Sequence, residues 1–463
     1  MEEECSVLQG HTRGVNSVAF DPSGRFVATG SSDMTAKLWD LSPPDGATAK
    51  CVLTLKGHSR KVTSVAFHPS APYLATGSRD KTTKLWLLNA DCSAAKCVST
   101  LKGHSGSVWS VAFHPSAPYL ATGSADNTAK LWLLNADCSA PTCVSTLRGH
   151  SDDINSVAFH PSAPYLATGS DDHTAKLWLL NADCSAATCV STLGGHSDIV
   201  SSVAFHPSAP YLATSSGDYT AKLWLLNADC SAATCVSTLQ GHSGYVYSVA
   251  FHPSAPYLAT CSDDETTKLW LLKADCSAAT CVSTLGGHSS YVCSVAFHPS
   301  APYLATGSED RTAKLCNFEK IVEEVIRAPH VICSHITDPN ACKRAQRQAL
   351  LSMRMVTTPH FSLPLRKRLE LLVKTPSFIT KRWGRRHSFV VSLLAKRLSE
   401  AHADDLSGDP GAIQRRRKNF PLLENGEKEN RGGGRKSRKS HKKKSSRKVK
   451  RHASKTKRYR KFR

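Results

Sequence analysis

The sequence lacks the features of a membrane or secreted protein. No apolar run approaches the roughly 20 residues that a membrane-spanning helix needs. The N-terminus, Met-Glu-Glu-Glu, is acidic where a secretion signal would be basic and then apolar. The 17 cysteines, an odd number, fit a reducing compartment in which most are free thiols. We therefore expect an intracellular protein that does not bind membranes.

Catalytic and metal-binding motifs are also missing. The sequence shows no nucleophile elbow, phosphate-binding glycine-rich loop or paired catalytic carboxylates. Structural zinc needs four ligands, whereas each Cys-x4-Cys pair supplies two and has no adjacent histidine. We interpret these cysteines as small apolar residues that end a hairpin, with a hairpin disulfide as the alternative. The five pairs are Cys92/Cys97, Cys138/Cys143, Cys184/Cys189, Cys230/Cys235 and Cys276/Cys281. The sequence thus predicts no enzyme activity, cofactor, metal or small-molecule substrate.

Acidic residues are absent from the last part of the chain. Residues 431–463 include 18 Lys or Arg among 33 residues and no Asp or Glu. Residues 1–318 carry a formal net charge of −5, whereas residues 319–463 carry +27. A segment this basic binds phosphates or acidic proteins.

An internal repeat dominates the rest of the chain. Gly-His recurs seven times at intervals of 46 or 47 residues. Within the second unit, turn formers separate four short stretches rich in β-branched and aromatic residues, at 62–67, 73–78, 82–87 and 97–101. A lone four-stranded sheet leaves two apolar faces uncovered, so such units stack, and ring closure covers the end faces. The sequence predicts an all-β fold, a seven-bladed β-propeller of four-stranded antiparallel blades.

The repeated residues resemble those of the WD-repeat β-propellers. Gly-His, an aspartate in a turn and Leu-Trp at the end of the third strand carry the resemblance over residues 4–318, although only Trp39 is followed by aspartate. The family implies a hydrogen-bonded tetrad of His, a strand hydroxyl, Asp and Trp in each blade. In the second unit the hydroxyl is Thr76 or Ser78, and family precedent favours Thr76. The expected tetrads of units two to four are His58, Thr76, Asp80 and Trp86; His104, Thr122, Asp126 and Trp132; and His150, Thr168, Asp172 and Trp178.

The family also implies how the ring closes. The seventh unit ends after its third strand, and residues 4–8 look like a fourth strand without a blade of its own. We expect residues 4–8 to complete the last blade. Cys316 stands where the seventh unit should have its tryptophan, so we expect that blade to be the weakest.

The copies differ mainly in the segment before each first strand and beside the turn aspartate. In a propeller both places open on one end of the ring, and loops on a rigid scaffold commonly bind partners. Aromatic and arginine side chains are frequent interface anchors. We predict a protein-binding surface there, with free drift of exposed loops as the alternative. The candidate residues are Arg60, Lys61, Lys81, Trp109, Asp152, Asp153, His173, Ile199, Tyr219, Tyr245, Tyr247, Glu265, Tyr291 and Arg311.

The region after the repeats divides in two. Basic amphipathic stretches predict helices within residues 319–403, which could dock on the propeller, bind a partner or touch an acidic surface. Residues 404–463 are poor in apolar residues and are predicted to be disordered. Their basic runs resemble nuclear or nucleolar targeting signals and polyanion-binding segments, with a solubilising tail as the alternative. The candidate residues are Arg435, Lys436, Arg438, Lys439, Lys442, Lys443, Lys444, Arg447 and Lys448.

Two functions fit these observations. The first is a non-enzymatic scaffold whose propeller binds protein partners and whose tail directs it to the nucleus or nucleolus, with the cytoplasm as the alternative location. In the second, the basic arm binds nucleic acid and the propeller is a passive anchor. The charge of −5 on residues 1–318 argues against direct phosphate binding by the ring.

Overall fold

The structure is a computed structural model that describes residues 5–41, 49–273 and 276–318. These residues form 28 β-strands in seven four-stranded antiparallel sheets, which are the blades of a propeller. Within this part of the chain, no helix is long and apolar enough to cross a membrane. The helical extension predicted at residues 319–403 and the disordered tail predicted at residues 404–463 lie outside the described residues.

Blades one to six each use four consecutive strands, and blade seven combines both ends of the repeat region. Blade one contains β2 (Val15–Phe20), β3 (Phe26–Ser31), β4 (Ala36–Asp40) and β5 (Lys50–Leu55). Blade two contains β6 (Val62–Phe67), β7 (Tyr73–Ser78), β8 (Thr82–Leu88) and β9 (Ala95–Lys102). Blade three contains β10 (Val108–Phe113), β11 (Tyr119–Ser124), β12 (Thr128–Leu133) and β13 (Thr142–Arg148).

The remaining blades repeat this pattern. Blade four contains β14 (Ile154–Phe159), β15 (Tyr165–Ser170), β16 (Ala175–Leu180) and β17 (Ala187–Leu193). Blade five contains β18 (Val200–Phe205), β19 (Tyr211–Ser216), β20 (Ala221–Leu226) and β21 (Ala233–Leu239). Blade six contains β22 (Val246–Phe251), β23 (Tyr257–Ser262), β24 (Thr267–Leu272) and β25 (Ala279–Leu285). Blade seven contains β26 (Val292–Phe297), β27 (Tyr303–Ser308), β28 (Thr312–Asn317) and β1 (Cys5–Gln9).

The second blade shows how closely the sequence pattern predicts strand bounds. Its first two strands have the predicted bounds, and β8 is one residue longer than predicted. The prediction of residues 97–101 for the fourth strand was too short. Its pairing with β8 begins at Ala95 opposite Leu88 and ends at Lys102 opposite Thr82.

The first strands of the blades form the inner wall of the ring. Each packs against the first strands of both neighbours, in the cyclic order β2, β6, β10, β14, β18, β22, β26 and back to β2. At five of these junctions, the amide of a valine donates to a serine Oγ of the preceding blade. The bond from Val18 to Ser294 (3.1 Å) joins blade one to blade seven.

Apolar side chains fill the spaces between adjacent blades. The second strands are buried along almost their whole length because sheets cover them on both sides. Between blades two and three, for example, Tyr73 and Leu85 pack with Trp132 and Leu134 of the next sheet. Burial is therefore shared by neighbours, so no single blade has a complete core of its own.

The N-terminal strand closes the ring. β1 pairs with β28 from Cys5 opposite Cys316 to Gln9 opposite Thr312, so it takes the fourth position of blade seven. Cys5 and Cys316 form a disulfide bond. In the other six blades a tryptophan occupies the position of Cys316, and it too lies opposite a cysteine, as Trp86 lies opposite Cys97. The replacement of tryptophan by cysteine in the last unit therefore brings two cysteines together in the same register.

Candidate functional site

The two variable segments of each blade lie side by side at one end of the ring. In blade two, the amide of Arg79 beside the turn aspartate donates to the carbonyl of Lys61 before the first strand (3.0 Å). In blade four, the amide of Asp171 donates to the carbonyl of Asp153 in the same way (2.9 Å). We call this end of the ring, with both sets of loops, the variable face.

In six of the seven blades, the residue after the turn aspartate is exposed on the variable face. In blade two, Asp80 accepts hydrogen bonds from the amide and hydroxyl of Thr82, which fixes a tight turn around Lys81. Lys81 has a φ of 71°, in the left-handed region that few non-glycine residues adopt. The equivalent candidate residues also have a positive φ and are exposed; they are His173, Tyr219, Glu265 and Arg311. The turn fixes the backbone and leaves the exposed side chain free to vary.

Four tyrosines form a continuous aromatic row across blades five to seven, the tyrosine ladder. The ring centroids are 5.8 Å apart between Tyr219 and Tyr245, 6.5 Å between Tyr245 and Tyr247, and 5.7 Å between Tyr247 and Tyr291. These are the distances of favourable aromatic pairs. Tyr219 and Tyr245 are 46% and 36% exposed, and the Tyr247 hydroxyl donates to Asp263 (3.3 Å). The ladder therefore presents ring surface to solvent.

Trp109 connects a cation to a carboxylate across neighbouring blades. The Arg79 guanidinium lies 5.0 Å from the centroid of the Trp109 ring, within cation–π range. The indole N–H of Trp109 donates to Asp153 (3.2 Å). Burial raises the pKa of Asp153, and the hydrogen bond from Trp109 opposes that rise. Burial and the nearby Asp153 also raise the pKa of Asp171.

Charge divides the variable face into two parts. Blades four to seven, the acidic half, carry seven carboxylates and one arginine apart from the tetrads, whereas blades one and two, the basic half, carry five cations. The acidic half contains Asp152, Asp153, Asp171, Asp198, Asp263, Glu265, Glu309 and Arg311. The basic half contains Arg13, Arg60, Lys61, Arg79 and Lys81. None of the seven carboxylates forms an ion pair with a lysine or arginine of the described ranges.

The remaining candidate residues of this face have mixed exposure. Arg60 and Asp152 are exposed, whereas Lys61 and Ile199 are half-buried. The backbone amide of Gly217 donates to the carbonyl of Ile199 (2.9 Å), which ties that loop to the turn of the same blade. All fourteen candidate residues thus lie on the variable face, at different depths.

The tetrad residues have a structural role. In blade two, His58 Nδ1 lies 2.8 Å from Asp80, and His58 Nε2 lies 2.7 Å from the Thr76 hydroxyl. The indole N–H of Trp86 donates to the same hydroxyl (2.9 Å). A neutral histidine satisfies the network, because Nδ1–H donates to the carboxylate and Nε2 accepts from the threonine. The same contacts occur in His104, Thr122, Asp126 and Trp132 of blade three and in His150, Thr168, Asp172 and Trp178 of blade four.

Burial sets the protonation of these tetrads. It lowers the pKa of His58, against the opposing effect of Asp80. Burial alone would raise the pKa of the tetrad aspartates, but hydrogen bonds from threonine and histidine hold that of Asp126 at about 2. The histidine is thus neutral and the aspartate charged at neutral pH. This is consistent with a structural role for the hydrogen bond between them.

Metal binding has no structural support in the described ranges. They hold no group of three or more histidine, cysteine, aspartate or glutamate side chains arranged to bind a metal ion. The Cys-x4-Cys pairs show two different environments. Cys92 is buried in the core between blades one and two, whereas Cys97 is exposed, and neither is disulfide-bonded.

A family comparison agrees with the repeat geometry. The model of the family described as WD domain, G-beta repeat matches residues 2–40, 49–86, 95–132, 141–178, 187–224, 233–270 and 279–317. This chain belongs to the WD-repeat family. The matched segments cover all seven blades of this WD-repeat protein, including the N-terminal strand that completes blade seven.

Other proteins are similar to short stretches of this WD-repeat chain. The protein pleiotropic regulator PRL2 of Arabidopsis thaliana is 58% identical over 36 residues, 8% of each chain. The ribosome biogenesis protein BOP1 homologs of Aedes aegypti and Drosophila virilis are 39% and 40% identical over 49 and 52 residues. Those stretches cover 11% of this chain and 5% and 6% of the two homologs. The chain thus spans less than a tenth of these relatives, so the matches support a shared repeat only.

Sequence reasoning missed two features, one on the variable face and one at the closure of the ring. It did not include Arg79 or Asp263 among the candidate residues, although both flank a turn aspartate and vary between copies. It also did not predict the bond between Cys5 and Cys316. Alignment of the N-terminal strand with the fourth strands would have placed Cys5 at the position of Cys97, opposite the replaced tryptophan.

Proposed function

We propose that this WD-repeat protein is a non-enzymatic scaffold that binds protein partners through the variable face. The tyrosine ladder is the observation that carries this proposal. Four tyrosine rings, each next to the following one and two of them exposed to solvent, form an aromatic surface on the propeller. Exposed aromatic side chains of this kind commonly anchor protein interfaces.

The rest of the fold supports this assignment. The seven copies share the residues that build the ring, and their differences are concentrated on one end. Free drift of exposed loops would also produce differences. It would not by itself place four tyrosines from three consecutive blades in a row whose successive ring centroids are at most 6.5 Å apart.

The test is affinity purification of partners with Tyr245→Ser/Tyr291→Ser. Blade three already has Ser107 at the equivalent position, so the fold accepts serine there. We expect the variant to lose captured proteins that the wild type retains, because two anchors of the ladder are removed. Lys96→Thr is a matched control, since Lys96 is exposed at the opposite end of its blade, where blade three carries Thr142. If the double variant keeps every partner, the ladder is not the binding surface.

A second function rests on the charge of the C-terminal region. We propose that residues 404–463 direct the protein to the nucleus or nucleolus and bind nucleic acid there. The 18 Lys and Arg within residues 431–463 support this, because a run of cations releases counterions from phosphates. Two of the relatives are named for ribosome biogenesis, which is consistent with the same location.

Imaging of a fluorescent fusion tests the targeting role. We expect full-length protein in the nucleus, and a chain with glutamine at the nine candidate Lys and Arg positions from Arg435 to Lys448 in the cytoplasm. Binding of both chains to RNA of arbitrary sequence, at low and high salt, tests the second role. RNA affinity that is equal for the two chains would contradict it.

A further inference from the structure

The basic half of the variable face exposes cations that have no carboxylate partner in the described ranges. Arg13, Arg60 and Lys81 are exposed, and none of them forms an ion pair with an aspartate or glutamate of those ranges. They lie on two neighbouring blades, and like charges repel one another. An anionic ligand would relieve this repulsion. We call these three residues the cationic surface.

Backbone hydrogen bonds hold the two arginines of the cationic surface. The Ser31 hydroxyl donates to the carbonyl of Arg13 (3.0 Å). In the same way, the Ser78 hydroxyl donates to the carbonyl of Arg60 (3.2 Å). These bonds fix both loops without using the guanidinium groups, which leaves the side chains for a ligand.

Blades one and two are joined next to this surface. The side-chain amide of Asn16 in β2 donates to the carbonyl of Val62 at the start of β6 (2.8 Å), two residues after Arg60. The turn around Lys81 is bonded to the same loop through the carbonyl of Lys61, which is half-buried. The loops that carry the cationic surface are therefore held in register with one another.

The fifth cation of the basic half, Arg79, is already engaged. Its guanidinium stacks on the ring of Trp109. Burial raises the pKa of Asp153, and the charge of Arg79 is one of the effects that oppose this rise. Arg79 is therefore not counted in the cationic surface.

We propose that the cationic surface binds an acidic segment of a partner protein, through the carboxylates of its aspartate and glutamate side chains. This rests on the proposed function, because it names the chemistry of a partner that the variable face receives. Arginine forms paired hydrogen bonds with a carboxylate, and lysine adds a compact positive charge. Met34, in the turn of blade one equivalent to that of Lys81, is 42% exposed and offers an apolar contact beside the cations.

A nucleic acid fits this face less well than an acidic protein segment. The seven carboxylates of blades four to seven would repel a polyanion that extends across the ring. A short acidic segment meets blades one and two only. The exposed side chain of Met34 also favours protein, because methionine packs well against varied apolar side chains.

Limited acetylation of lysines in the full chain tests this contact. The protein is acetylated at increasing concentrations of an oligoglutamate peptide, and mass spectrometry measures the modification of each lysine. We expect the peptide to protect Lys81 and to leave Lys96, exposed at the opposite end of blade two, unprotected. Because each lysine is read separately, peptide bound to the basic C-terminal region does not obscure the result. Protection of Lys81 should weaken with salt.

Blades four and five supply the decisive substitution. Asp152 and Asp198 occupy the positions of Arg13 and Arg60, and their carbonyls accept the same serine hydroxyl bonds (3.2 and 3.1 Å). Arg13→Asp/Arg60→Asp therefore reverses two charges at positions where the fold accepts aspartate. We expect half-protection of Lys81 to need at least about tenfold more peptide, because two exposed ion pairs are lost.

Two further variants serve as controls. Arg13→Ser/Arg60→Ser copies Ser290 of blade seven, whose carbonyl accepts the equivalent bond, and should show a smaller weakening. Lys50→Thr/Lys96→Thr removes two cations at the opposite end of the ring, where blade three has Thr142, and should leave the protection of Lys81 unchanged. Unchanged melting temperatures confirm that the variants fold.

Three results would overturn the proposal. The first is protection of Lys81 that does not exceed that of Lys96, and the second is equal protection in the wild type and Arg13→Asp/Arg60→Asp. The third is protection of Lys81 by RNA or by a phosphoserine peptide of equal net charge at lower concentration than by oligoglutamate, which would assign the surface to phosphates.

The proposed function is tested separately from this contact. Partner capture that depends on Tyr245 and Tyr291 would leave the proposed function standing in each of these three cases. Capture that does not depend on them, with Lys81 still protected by oligoglutamate, would exclude the tyrosine ladder and keep the cationic surface.

Discussion

At the scale of single residues, repetition makes small differences informative. Positions that are identical in all copies build the ring, as the tetrad residues His58, Thr76 and Asp80 show. A position that differs between copies can be compared with the equivalent positions of the other blades. Serine occupies position 215, where five blades have glycine and blade six has Cys261. A residue found at the equivalent position of another blade is therefore a substitution that the fold accepts.

The buried histidines predict a loss of stability in mild acid. Burial lowers the pKa of twelve histidines in the blades, that of His252 to about 4. Below pH 6.5 the unfolded chain takes up protons that the folded chain cannot, so stability falls as the pH drops from about 7 to 5. Each proton that only the unfolded chain binds lowers the free energy of unfolding by up to about 1.4 kcal/mol per pH unit. Urea unfolding at pH 8, 7, 6 and 5 measures this, and a free energy of unfolding that is flat from 7 to 5 would refute it.

At lower pH, protonation of the tetrad aspartates causes a second loss of stability. Their pKa values are lowered, to about 2 for Asp33 and Asp172, so the stability they contribute is present above pH 3.8 and is lost below it.

Position 215 yields a prediction about stability. The Ser215 hydroxyl is buried and has no hydrogen-bond partner. Ser215→Ala should therefore raise the free energy of unfolding by about 1 kcal/mol, because an unsatisfied buried polar group is removed. Ser156→Ala is the control, since Ser156 accepts the amide of Val203 and its loss should destabilise the ring by a similar amount. Urea unfolding curves measure both, and a destabilised Ser215→Ala variant would show that the hydroxyl is satisfied.

At the scale of elements, the closing strand joins the two ends of the ring. β1 is separated from the rest of its blade by the whole repeat region, and it is held by its pairing with β28 and by the bond between Cys5 and Cys316. The family resemblance predicted the strand, because the seventh unit lacked one. The disulfide required the register between β1 and β28, which the sequence reasoning did not work out.

Reduction of this disulfide should destabilise the protein. A cross-link across more than 300 residues limits the unfolded chain, so reduction with dithiothreitol should lower the free energy of unfolding by about 2–4 kcal/mol. Cys5→Ser should match the reduced wild type and should not respond to dithiothreitol. Cys97→Ser, at the equivalent place in blade two, should behave as the wild type. Deletion of residues 1–9 should cost more than reduction, because it also removes the strand. Identical melting of oxidised and reduced wild type would contradict the stabilising role of the bond between Cys5 and Cys316.

At the scale of the whole molecule, the sequence predicts the ring better than the site. Seven near-identical units with turn formers at fixed positions determine the blades, and the missing strand of unit seven determines the closure. The candidate residues of the variable face could be picked out because they differ between copies. The contacts between these residues could not be predicted. The ladder from Tyr219 to Tyr291 and the stacking of Arg79 on Trp109 each join residues of neighbouring blades. Such contacts depend on how neighbouring sheets are placed, and local pattern does not encode that.

The most direct measurement is capture of partners by a chain that ends at residue 403, after nuclease treatment, with and without Tyr245→Ser/Tyr291→Ser. If the variable face is the binding surface, the shortened chain retains its protein partners and the substitutions remove them. If the shortened chain captures nothing, or captures the same proteins with and without the tyrosines, the ring is not the binding element that we describe.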